Sequence, residues 1–147
     1  MKVQDSVGAV LKQKTAAVYS VSPDATVYDA LAQMAAREIG ALPVLDGSKL
    51  VGIVSERDYA RKVILKGKSS RETLVREIMA TATTIGDDCS VDDAMRLMTN
   101  QRVRHLPVLT ESGEVHGIVS IGDLVKWIIS AHEQTIEQLH SYIAGQY

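Results

Sequence analysis

The chain has 147 residues, 46% hydrophobic and 23% charged, the profile of a folded globular protein with room for one domain or two small modules sharing a core. Lys and Arg number 16 against 18 Asp and Glu, and the net charge of −2 excludes a general electrostatic pull toward nucleic acid or an anionic membrane. No apolar run approaches the roughly 20 residues of a bilayer span, Val7–Leu11 is too short for a secretory h-region, and one cysteine, Cys89, excludes an internal disulfide, so a cytoplasmic protein is expected.

Residues 1–13 form an N-terminal segment, after which Ala17–Val21 (AVYSV) predicts a short strand. Thr26-Val-Tyr-Asp29 opens a predicted helix over Val27–Arg37, where Val27, Ala30, Leu31 and Met34 recur at i, i+3, i+4 and i+7 and make one buried stripe. Ala41–Leu45 and Leu50–Val54 follow as a hairpin around the turn Asp46-Gly-Ser-Lys49, then a helix over Glu56–Lys66. Gly67–Ser70 breaks the chain, and Arg71–Met79 is an amphipathic approach to what comes next.

What comes next is the same order again. Ser90-Val-Asp-Asp93 opens Val91–Gln101, His105–Leu109 and Val115–Val119 flank the turn Thr110-Glu-Ser-Gly113, and Ile121–His140 forms a long last helix. Val21–Leu45 overlays Ile85–Leu109, with Asp24/Asp88, Val27/Val91, Asp29/Asp93, Ala30/Ala94, Met34/Met98 and all of LPVL identical. One further residue in the second turn then brings Gly52-Ile-Val-Ser55 onto Gly117-Ile-Val-Ser120. The expected fold is a mixed α/β (α+β) one: tandem β-α-β-β-α units, residues 14–70 and 71–140 with a tail at 141–147, packed as a pseudo-twofold pair.

Each copy carries Gly-Ile-Val-Ser-x-x-Asp, ending in Ser55/Asp58 and Ser120/Asp123. Ser-x-x-Asp is a helix-capping pattern, worth about 1 kcal/mol, and it occurs at Thr26–Asp29 and Ser90–Asp93 as well. Two of the four boxes differ in context, because Ser55 and Ser120 follow directly from an apolar strand. A helix start at a strand's end presents free N–H groups to an anion, and a carboxylate one turn in accepts ribose hydroxyls. Capping and ligand contact remain alternative readings of the same residues.

Paired β-α-β-β-α units with Leu-Pro-Val on the second strand and Gly-Ile-Val-Ser-x-x-Asp running into a helix resemble the CBS-domain pair (Bateman module). The resemblance covers about Lys14 to His132 and leaves no room for a fused catalytic domain, so a stand-alone pair is expected. It implies a cleft between the copies that binds an adenosine-containing molecule, AMP, ADP, ATP, NAD(H) or S-adenosylmethionine; no cofactor is expected, and with no G-x-x-x-x-G-K-[S/T], G-x-G-x-x-G or Ser/His/Asp signature in the sequence, no catalysis is expected. It also implies ribose contact for Asp58 and Asp123, and ribose or phosphate contact for Ser55 and Ser120. The residues before Leu-Pro-Val border the family's cleft: Gly40 and Ala41 leave room for a base, while Arg104 and His105 meet phosphate or remain a solvated charge and a half-buried strand residue. Arg57 either turns to phosphate or stays exposed. Thr83, Thr84 and Thr15 through Val18 lie where the family's first strand lines the adenine pocket, with Thr84 grouped in the site. The family's crossed arrangement gathers Asp123, Ser120, His105, Gly40 and Ala41 into one site and Asp58, Ser55, Arg104 and Thr84 into another.

Other constellations carry no chemistry. Cys89 has no histidine beside it in sequence, and His132 and His140 lie about 12 Å apart along a helix, too far for one ion. The apolar positions of the last helix, from Leu124 and Trp127 to Ile136, Leu139 and Ile143, exceed the needs of a two-unit core and predict a homodimer. The expected function is regulatory, with an unknown protein partner. The competing expectation is an interaction protein whose cleft holds nothing.

Overall fold

Helix α1 (Val7–Gln13) starts at Ser6, whose hydroxyl accepts the Ala9 N–H. The structure, a computed structural model, describes residues 5–14 and 18–143, apart from the side chains of 134–136, 138, 139 and 141–143. Helix α2 (Val27–Arg37) is followed by the hairpin β1 (Ala41–Asp46) and β2 (Lys49–Ser55), then α3 (Glu56–Lys62), a 3₁₀ turn at Ile64–Lys66 and the single turn α4 (Val75–Ile78). The second unit runs β3 (Ile85–Gly86), α5 (Val91–Gln101), β4 (His105–Leu109), β5 (Val115–Ser120) and α6 (Ile121–Ile143).

The repeat is reproduced in detail. Both hairpins are antiparallel, pairing Ala41 with Ser55 and His105 with Ser120, and both shift register one residue before the turn. Both α2 and α5 end on a left-handed residue, Glu38 and Arg102, and bury Val, Ala and Met at matching places. In each unit the residue before the hairpin accepts the first N–H of the closing helix: Gly40 O from Glu56, and Arg104 O from Ile121.

Two expectations need correction. Val18–Ser20 forms no strand: Val21 alone bridges Val44, in parallel, while Ala17 lies outside the described residues. The counterpart β3 is only two residues long, so the first strand of each unit is a brief parallel contact, too short for a β-rich run to reveal its limits. The helix expected over Glu56–Lys66 ends at Lys62, because Val63 leaves helical geometry and the last turn tightens to 3₁₀.

The segments preceding the two units are exchanged. Val7, Val10 and Leu11 of α1 pack into the core of the second unit with Val91, Met98, Leu106 and Leu124. Val75 and Ile78 of α4 pack into the first, with Val27, Met34, Leu42 and Val54. Backbone bonds fix the exchange at equivalent places: Val7 N–H donates to Cys89 O and Val91 N–H to Asp5 O, while Val75 N–H donates to Ala25 O and Val27 N–H to Thr73 O, each at 2.8 Å. Residues that precede a unit in sequence thus complete the other unit in space, and the two cores are tied through the chain.

Candidate functional site

A cleft of about 610 Å³ opens where the two hairpins begin, within the size range of small-molecule sites. From the first unit come Gly40, Ala41, Leu42 and Pro43, preceded by Arg37, Glu38 and Ile39. From the second come His105 and the end of β5, Gly117, Ile118 and Ser120, with Asp123 one turn into α6. Leu11, Lys14, Val18 and Tyr19 complete the wall. The two β-strand starts face each other closely: a methyl built on Gly40 would lie 3.5 Å from His105 Cε1 and 3.6 Å from Glu56 Oε1. A larger residue at Gly40 fills this space.

Asp123 is held by its own helix start and by α1. Its Oδ2 accepts the Ser120 N–H at 2.9 Å, and its N–H donates to Ser120 Oγ at 3.1 Å, a reciprocal cap. Lys14 Nζ also donates to Asp123 Oδ2 at 2.9 Å and to the Ile118 carbonyl at 3.2 Å. Partial burial resists ionisation of Asp123, but the Lys14 ammonium and the Ser120 bonds outweigh it and hold the carboxyl below its ordinary range. The neighbouring His105 is pushed down, first by burial and then by the Lys14 charge, against the opposing pull of Asp123. The imidazole is therefore neutral near pH 7, able to accept one hydrogen bond and donate another.

The cleft brings together Gly40, Ala41, His105, Ser120 and Asp123. It does not include Ser55, Asp58, Arg104 or Thr84. Asp58 Oδ2 accepts from both the Ser55 N–H and Ser55 Oγ at 3.0 Å, and Lys62 Nζ stands 3.3 Å from Oδ1. Arg57, Arg104 and Thr84 are exposed. Of the residues expected from Thr15 to Val18, Val18 lines the cleft and 15–17 lie outside the described residues.

At Gly52 and Gly117 another segment of the chain comes close. A methyl on Gly52 would sit 2.8 Å from the Ala80 carbonyl oxygen and 2.9 Å from Met79 Sδ, beside the bridge joining Ile53 to Ala80. On Gly117 it would meet Leu11 Cδ2 at 3.2 Å. Both glycines admit the exchanged segments.

Sequence reasoning missed Lys14, Tyr19, Arg37 and Glu38. Arg37 lies 4.2 Å over the Tyr19 ring, a cation–π contact at the cleft's edge. Nothing local marks Lys14, because its partner is 109 residues away. Cys89 is half-buried, and burial followed by Asp93 and Asp88 pushes its thiol up, away from nucleophilic character. Among the described residues, no three His, Cys, Asp or Glu side chains gather as a metal set, and no helix is long and apolar enough to cross a membrane.

The family model for the CBS domain matches residues 7–65 and again 75–130. The chain is 42% identical over 130 residues to the mitochondrial CBS domain-containing protein CBSX3 of Arabidopsis thaliana, an alignment covering 84% of this chain and 63% of that protein, less than two thirds of its length. Its fold superposes with a TM-score of 0.81 on a protein with CBS domains from Burkholderia ambifaria MC40-6, at 47% identity, covering 86% of this chain and 95% of the other. CBSX2 in complex with AMP superposes at 0.69 with 28% identity, covering 86% and 98%.

Proposed function

The chain belongs to the CBS-domain family, and from that premise we propose that its cleft binds an adenine nucleotide and that binding signals to a protein partner by shifting the two units against each other. The observation that carries this reading is the convergence in one cleft of small residues from β1 with the Ser120–Asp123 helix start. Gly40 and Ala41 leave space for a base, and Asp123 offers a carboxylate to ribose hydroxyls. Ser120 stands at the N-terminus of α6, whose dipole favours an anion. Tyr19, Ile39, Pro43 and Ile118 supply apolar surface for the purine. The AMP complex of a 28% identical relative supports an AMP-type ligand, with ADP, ATP or NAD(H) as further members of the class.

The mechanism follows from where the cleft sits. A ligand touching β1 of one unit and α6 of the other binds best to one relative arrangement and shifts the population toward it by its difference in affinity. Exposed Val125 and Ile129 on α6 give an apolar strip for a second copy, which supports a homodimer. Among the described residues no catalytic set accompanies the binding groups, and we read the chain as a regulator in the cytoplasm.

An observation that favours the interaction-protein reading for the first half-site is that Ser55 and Asp58 do not line the cleft. Thermal-shift measurements with AMP, ADP, ATP, NAD+, NADH and S-adenosylmethionine decide between the two. Stabilisation by at least one is expected, and no response to any at millimolar concentration rejects the sensor.

A further inference from the structure

The carboxylate best placed for a ribose already has a partner. Lys14 Nζ donates to Asp123 Oδ2 and to the Ile118 carbonyl, and it reaches them from the C-cap of α1. The first unit has the same chemistry in a different form: Lys62 Nζ lies 3.3 Å from Asp58 Oδ1 and donates to the Ile78 carbonyl at 2.9 Å. Lys62 stands on the same helix as Asp58, four residues on, so its ion pair is local. Lys14 comes from a separate segment, and the Lys14–Asp123 pair forms part of the cleft wall.

Charge balance makes that pair consequential. The formal charges lining the cleft cancel, Lys14 and Arg37 against Glu38 and Asp123. An entering phosphate therefore meets no net positive field while Lys14 remains on Asp123. A ribose diol donating to the Asp123 carboxylate takes over the acceptor that Lys14 uses. The displaced ammonium, partly shielded from water, then needs another anion close by.

We infer that Lys14 is the specificity-determining residue of this cleft: it closes Asp123 in the absence of ligand and transfers to the ligand's 5′-phosphate when the ribose takes the carboxylate. The inference rests on the nucleotide reading of the site. It makes the cleft select a 5′-phosphorylated nucleoside over the bare nucleoside, because adenosine strips Lys14 from Asp123 and offers no anion in exchange. Strong charge-assisted bonds of ammonium to phosphate give the exchange its direction.

The test is calorimetric titration of the full chain with AMP and with adenosine, for wild type, Lys14→Met and Lys14→Arg, with circular-dichroism melts alongside. Wild type is expected to bind AMP about tenfold or more tighter than adenosine. Lys14→Met weakens AMP by about tenfold and strengthens adenosine, collapsing the preference. Lys14→Arg keeps it. A Lys14→Met protein that retains the wild-type ratio of the two affinities overturns the exchange, as does one in which both affinities fall together. Should Lys14→Met unfold, Lys14→Arg decides, and loss of the AMP preference there rejects the inference. Wild-type protein that binds neither ligand brings down the nucleotide reading itself; wild type that binds AMP, with an unchanged ratio in Lys14→Met, brings down the exchange alone.

Discussion

At the scale of single residues, Asp58 and Asp123 occupy equivalent positions in different surroundings. Both cap a helix and both meet a lysine, but Asp123 lines the cleft between the units and Asp58 is not among the residues lining it. The glycines before them also differ in consequence. Gly52→Ala drives a methyl into a backbone carbonyl at 2.8 Å, and about 1–3 kcal/mol of destabilisation is expected. Gly117→Ala meets the flexible end of Leu11 at 3.2 Å and is expected to cost less. Denaturant melts of the two variants check this ranking, and the reverse order contradicts the packing described. The cleft also sets a pH dependence. Native His105 has a pKa below its ordinary 6.5, so the unfolded chain binds a proton that the folded chain refuses. Its contribution to stability is complete above 6.5 and is lost as pH falls toward the lowered native value. Asp123, depressed below 3.8, adds a second loss in stronger acid. Stability measured from about pH 7 to 5 should decline in wild type and flatten in His105→Gln; equal slopes contradict the assignment.

At the scale of elements, the sequence was most legible where one pattern repeats over many residues. Helices α2 and α5 fall on Val27–Arg37 and Val91–Gln101 as their apolar spacing predicts, and β4 runs over His105–Leu109 as expected. Their caps and buried stripes are local, so local patterns reveal them. The exchange of α1 and α4 was not legible, because a four-residue turn such as Val75–Ile78 buries two side chains and says nothing of which core receives them. Lys14 escaped notice for the same reason: its role is made by a contact distant in sequence. The exchange has a measurable consequence. Ile78→Ala empties the first core and Leu11→Ala the second, each at about 2–5 kcal/mol. Native-state hydrogen exchange should show Ile78→Ala loosening the β1–β2 hairpin first, although Ile78 lies next to the second unit in sequence, and Leu11→Ala loosening β4–β5. If Ile78→Ala loosens β4–β5 instead, the exchanged packing is wrong.

At the scale of the whole molecule, two similar units share a cleft, and each is finished by the segment that precedes the other in sequence. Near-symmetry brings Gly40 opposite His105; departures from symmetry, Gly40-Ala41 against Arg104-His105 and Lys14 against Lys62, give that cleft a direction. Gly-Ile-Val-Ser-x-x-Asp looked like one motif in two copies. In the fold the second copy contributes Ser120 and Asp123 to the cleft, and Ser55 and Asp58 of the first are not among its lining residues. The most direct measurement is calorimetric titration of AMP into wild type, Asp123→Ala and Asp58→Ala. Saturable binding is expected, abolished in Asp123→Ala and retained in Asp58→Ala, both variants remaining folded. Equal loss in both variants, or undiminished binding in Asp123→Ala, contradicts it.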